Sequence, residues 1–233
     1  MKSIKSSLIF CIFMCLFHIS TITYVKAQEI AIGVKAGANF VKLTDLPAGF
    51  PSSKMALGAH IGPFIKVPIN ENFSFQPELL FSIKGNYINE TFFGFNLEII
   101  TGLSYIDLPL MFNYQLESGL NFEAGPYIGF LVMARSKVSA MGFSETEDIS
   151  EFTNKVDVGA GLGIGYRLEK GLGFGARYNL GFIPVFKESE FIETDVLGNP
   201  ILDSNGNLIV VKQDAYGKNS NFMISVSWLF GQN

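Results

Sequence analysis

The stretch DVGAGLGIGYRLEKGLGFGARYNLGF, residues 157–182, carries glycine at 159, 161, 163 and 165, and again at 171, 173 and 175. Glycine at this density could cradle a phosphate, because backbone N–H groups unshielded by side chains converge on a pyrophosphate where a strand enters a helix. That chemistry needs G-x-G-x-x-G, and the required third glycine is Tyr166 in the first run and Ala176 in the second. No G-x-x-x-x-G-K-[ST] is present either. The period is two, which belongs to a strand. His60 is the sole histidine beyond residue 27. A Ser–His–Asp hydrolase or a lipid-modifying acyltransferase would set it beside a serine at a membrane rim. Nothing in the flanking sequence brackets it so, and it reads as structural. Histidine metal clusters are excluded by count. No catalytic residue, cofactor or metal site is expected.

The first 27 residues read as a cleaved signal peptide. Lys2 and Lys5 precede the apolar run 8–19, and Val25-Lys26-Ala27 forms a small-residue cleavage site before Gln28. The apolar run is shorter than the roughly 20 residues of a spanning helix, which argues against a signal anchor. Cys11 and Cys15 both lie in this segment, so the exported chain has no disulfide, thiolate metal site or cysteine nucleophile. Losing Lys2, Lys5 and Lys26 takes Lys+Arg from 17 to 14 against 21 Asp+Glu, a net charge of about −7. An acidic exported chain is a poor partner for nucleic acid.

Period-two patterning between turn breakers gives eight strands: 30–40, 55–67, 72–84, 103–116, 119–135, 155–168, 170–182 and 220–230. Each matches or slightly exceeds the roughly 9–11 residues that cross a bilayer at a tilt. Connections alternate between short (68–71, 117–118, 169) and long (41–54, 85–102, 136–154, 183–219). Outer-membrane barrels show this asymmetry, with short turns in the periplasm and long loops outside. The expected fold is all-β: an eight-stranded antiparallel up-and-down transmembrane barrel over residues 28–233. A soluble lipid-carrying barrel would turn its apolar faces inward. Here the opposite faces are mostly glycine with isolated charges, and few Lys or Glu are available for a wet exterior. Tyr114, Tyr166 and Trp228 fall on the apolar face near the short turns, as an aromatic girdle would.

The faces assigned inward carry Lys35, Lys66, Lys84, Arg135, Arg167 and Arg177 against Glu78, Asp107, Glu123 and Asp157. Enclosed charges persist when paired, and an eight-stranded lumen is only wide enough for side chains. A salt-bridged plug is expected, with Glu78, Glu123 and Arg177 central; a proton or ion pathway is the alternative. The loops are acidic, with Glu145, Glu147, Asp148 and Glu151 in one and six acids in 183–219. Residues 195–211 read as a hairpin turning at Asn205-Gly206. DSNGN (203–207) lacks the later bidentate Glu of a calcium loop, and a solvated acidic rim is expected there.

QPELLFSIKG (76–85), IDLPLMFNY (106–114), GPYIGFLV (125–132), VDVGAGLGIGYRL (156–168) and ARYNLGF (176–182) together resemble the PorT-type outer-membrane β-barrel proteins of Bacteroidota. GVKAGANF (33–40) and GAHIGPF (58–64) fit the same pattern. The resemblance spans nearly all of 30–230. It implies a porin-like eight-stranded barrel, a signal peptide, residence among outer-membrane lipid and insertion by the outer-membrane assembly machinery. One departure is the end of the chain, where Phe230 is followed by Gly-Gln-Asn instead of closing on an aromatic residue. The expected role is a non-enzymatic structural or binding scaffold. The alternatives are an accessory of protein secretion or envelope assembly, with partner proteins there, and a lipid-modifying enzyme.

Overall fold

The computed structural model describes residues 30–51, 53–92, 95–194 and 199–231. The signal peptide expected over 1–27, with both cysteines, lies outside the described residues, as do positions 195–198 of the expected hairpin. The strands are β1 (Ala31–Thr44), β2 (Ala56–Pro68), β3 (Phe73–Pro77), β4 (Leu80–Phe92), β5 (Phe95–Gln115) and β6 (Leu120–Ala140). They continue with β7 (Phe143–Asp148), β8 (Val156–Arg167), β9 (Leu172–Phe186), β10 (Ser189–Ile192), β11 (Val210–Gln213) and β12 (Tyr216–Leu229).

Neighbouring strands pair antiparallel, and β1 pairs with β12 from Gly33↔Leu229 to Thr44↔Lys218, which closes the sheet on itself. β3 and β4 occupy one barrel position: Phe75↔Phe112 and Phe81↔Ile106 keep a single register against β5. The break falls beside Pro77, with Pro63 and Pro109 on the flanking strands. Proline supplies no ladder donor, and the Glu78 and Leu79 N–H groups donate to the Pro109 and Pro63 carbonyls at 2.9 and 3.0 Å. β7 pairs with β6 alone, beyond the ring. Ten sheet strands therefore make an eight-stranded, up-and-down barrel.

Two of the short connections share a sequence device, LESGL (116–120) and LEKGL (168–172). In each, the glycine takes a positive φ (Gly119 90°, Gly171 88°), which a side chain would resist. Its N–H donates to the carbonyl three residues back, at 2.9 and 3.0 Å. Two expected loops are instead mostly strand. Residues 85–102 extend β4 and β5 to the pair Phe92↔Phe95, and β6 runs on to Ala140 and folds back as β7. Both extensions run past the barrel; Asn86, Ile88 and Thr101 of the first stay buried, whereas β7 of the second is exposed throughout. The hairpin expected over 195–211 turns at Gly206 (φ 81°) with the bridge Leu202↔Leu208, and its second arm runs on into β11, which pairs with the preceding β10.

Side chains alternate between an outward, exposed apolar wall and a polar lumen. Cross-strand aromatic pairs on the wall, Phe73 with Tyr114 and Phe75 with Phe112, stand 4.8 and 5.2 Å apart and help fix register. The apolar core proper is a small cluster of Leu43, Leu103, Tyr105, Ala134 and Val185 at the loop end of the lumen.

Candidate functional site

The lumen is filled in layers. Toward the turn end, Arg177 on β9 donates through Nη1 and Nη2 to Glu78, at 2.9 and 2.7 Å, and through Nε to Glu123 at 2.5 Å. Lys35 from β1 adds a bond to Glu78 at 2.5 Å, and Gln76 another at 2.6 Å. A bidentate guanidinium fits a carboxylate geometrically, so this cluster holds four strands of the wall together. Glu78 is buried at the β3–β4 break.

Nearer the loops stands a separate cluster. Lys84 on β4 donates to Asp107 and to Asp157, both at 3.0 Å. The rings of Tyr105 and Tyr127 flank the same ammonium at 4.6 and 4.7 Å, adding cation–π attraction where water is excluded. Tyr127 and Asn219 also donate to Asp157, at 3.1 and 3.0 Å. The apolar cap lies above this layer.

Between the clusters sits His60, buried, with Nδ1 2.8 Å from Asn39 Oδ1 and Nε2 2.9 Å from Ser225 Oγ. A serine thus does meet the histidine, with a third polar group behind it. The trio is in mid-lumen and not at a rim. Ser225 borders a lumenal cavity of about 30 Å³, shared with Lys35, Glu123 and Arg177. That is one water molecule's share of liquid volume, too small for an acyl substrate.

The residues assigned inward thus separate into two clusters and two lone cations. Lys66 donates to Gln115 Oε1 at 2.8 Å, and Arg167 to the Gly171 carbonyl at 3.3 Å. Neither reaches a carboxylate among the described residues. Arg135 is a correction: it is exposed, outside the lumen, and pairs in register with Asp148 of β7. The cause is a bulge. Tyr105 pairs with Leu131 but Ser104 with Met133, so Val132 is an extra residue on β6 and inward parity passes from odd to even numbers. Ala134 consequently enters the cap and Arg135 faces out. Arg135→Ala should move the urea unfolding midpoint by no more than about 0.5 kcal/mol equivalent, as at other exposed sites; a larger loss would show a buried role. Tyr114, Tyr166 and Trp228 lie on the outer wall near the short turns, at the levels of Phe73, Leu120 and Leu172. Sequence reasoning missed Asn39, Tyr127, Asn219 and Ser225 as parts of these layers; their only signal was inward parity.

In the outer loops, the Asp203 carboxylate accepts the backbone N–H groups of Asn207 and Asn205, both at 2.8 Å, which holds its pKa below the usual range. Asp148 is lowered likewise by bonding to Ser150. Asp203 is therefore committed to shaping its own turn.

The sequence profile of the outer membrane protein beta-barrel domain family matches residues 26–187, well over half of the chain. The chain belongs to that family. As an outer-membrane barrel it crosses its bilayer with strands, and its apolar wall faces lipid. The fold is similar to that of Ail, the attachment invasion locus protein of Yersinia pestis, at 11% identity and TM-score 0.45 over 87% of this chain and 100% of that one. Neisserial surface protein A is similar at 11% identity and TM-score 0.42, over 86% and 99%. The outer membrane protease OmpT of Escherichia coli is similar at 9% identity and TM-score 0.33, over 91% and 100%. No curated protein matches the chain.

Proposed function

We propose that this outer-membrane barrel is a non-enzymatic scaffold with a closed lumen, exported by cleavage after residue 27 and acting outside through its long acidic hairpins. The observation that carries this reading is the filling of the lumen. The Arg177 and Lys84 clusters, the His60 trio and the apolar cap stack along the axis, and the cavity among them is about 30 Å³. The strands that protrude beyond the ring, β4 to β7 and β10 with β11, offer backbone edges and acidic side chains where partner proteins could dock. The motif resemblance to PorT-type barrels supports a second reading, an accessory of secretion or envelope assembly in Bacteroidota, which predicts co-purification with envelope proteins. The lipid-modifying reading is disfavoured by the depth of His60 and Ser225.

The test uses purified barrel. In planar bilayers it is expected to give no steps of porin size, and a fluorophosphonate probe is expected to leave Ser225 unlabelled. Porin-size steps would overturn the closed lumen. Stoichiometric labelling of Ser225 would overturn the non-enzymatic role.

A further inference from the structure

The charges at the turn end of the lumen do not balance. Below His60 the inward residues are Lys35, Lys66, Arg167 and Arg177 against Glu78 and Glu123. Lys35 and Arg177 occupy both carboxylates, which leaves Lys66 and Arg167 on neutral acceptors only. The Phe64 ring, fully buried, lies between the two groups, 5.8 Å from Lys35 Nζ and 5.9 Å from the Arg167 guanidinium. On the turn side of Phe64, Lys66 lines a cavity of about 550 Å³ with Ser74 and Gln115, and Arg167 lines one of about 570 Å³ with the same Gln115. Gln115 thus joins the two spaces.

An unmet donor stands there too. Ser74 Oγ is buried beside the Lys66 cavity and has no hydrogen-bond partner, while its cross-strand neighbour Asn113 lines the smaller lumenal cavity with Arg177. An unmet buried donor is costly, and two half-buried cations without a counter-charge repel each other. One ligand class relieves all three groups. We infer that this vestibule binds a small phosphate-type oxyanion between Lys66 and Arg167, with Ser74 as a neutral donor. The exposed rim carries Glu71, Glu117 and Glu169 beside Lys170, so the site takes a compact anion and repels polyanions. The phosphate could be free or the headgroup of a periplasmic-leaflet lipid, because Tyr166 and Trp228 of the girdle border the Arg167 cavity.

The experiment uses barrel refolded from urea into a lipid-free maltoside detergent, with inorganic phosphate as the probe. The readout is the temperature at which the compact band on an unheated gel disappears. Wild type is expected to show a saturable rise with phosphate that chloride at equal ionic strength does not give. Lys66→Gln and Arg167→Gln should each raise the midpoint in phosphate-free buffer, by relieving excess positive charge, and weaken phosphate binding about tenfold or more. Ser74→Ala should weaken binding with no change of charge, which separates a site from simple screening. An equal rise with chloride, or an undiminished phosphate response in all three variants, would overturn the assignment. Barrel extracted from membranes with bound phospholipid that is lost in Arg167→Gln would make the lipid headgroup the source. A response confined to free phosphate would make it the soluble anion.

Discussion

Arg177→Met is expected to destabilise the barrel by about 3–5 kcal/mol, the usual penalty for removing one member of a buried ion cluster. The guanidinium is the hub: among the cations of the cluster it alone hydrogen-bonds to both Glu78 and Glu123, and its side chain is only 3% exposed. Without it, Lys35 stands 2.5 Å from Glu78 but 4.0 Å from Glu123 and cannot neutralise both. The loss is measured as the shift of the urea unfolding midpoint in detergent. The double variant Arg177→Met, Glu123→Gln should recover most of it, because Lys35 still pairs with Glu78 and no lone carboxylate remains. A double variant as unstable as the single one would mean that Arg177 acts through shape and not through charge.

Gly161→Leu with Gly163→Leu is expected to abolish folding, read as loss of the heat-modifiable gel shift. A Cβ on Gly163 would stand 2.7 Å from Glu123 Oε1 and 2.9 Å from the Ala176 carbonyl, closer than carbon can approach either. On Gly161 it would press on Asn179 and lie 3.3 Å from Arg177 Cδ. The glycine wall is the space in which the Arg177 cluster sits. Leucine at both sites removes that space and strands buried charges, so the penalties of overpacking and of broken ion pairs add. Leucine at the neighbouring outward positions, as at Ala160, should be tolerated because those side chains meet lipid. A folded double-leucine barrel would show that the lumen can re-form around bulk.

Both expectations were within reach of the sequence because the lipid belt imposes strict alternation on each strand. Parity alone places Glu78, Glu123 and Arg177 on one surface, and β-ladders then bring them together. Two features were not legible. The first is the division of the lumen into separate layers, since parity says which wall a residue faces but not its height. The second lies past the lipid. In 136–148 neither face is apolar enough to mark a strand, and in 85–102 the alternation FNLEI (95–99) is short and follows the polar Asn86, Asn89 and Glu90. Arg135 was misplaced for a related reason: one inserted residue, Val132, reverses facing, and no local pattern announces it.

That inserted residue also sets how deep the protein sits. Below it, β6 offers the bilayer Phe122, Ile128 and Phe130; above it, Arg135 and Lys137 point the same way. The eleven residues 122–132, at ~3.3 Å each and a tilt of ~40°, span about 28 Å, close to the roughly 25 Å apolar band of outer-membrane barrels. Trp228 and Tyr166 lie at the opposite, turn end of the same wall. Sinking would drag Arg135 into hydrocarbon, and rising would lift these two rings toward water. The bulge works as a waterline, and deleting Val132 should leave a barrel that floats at the wrong height.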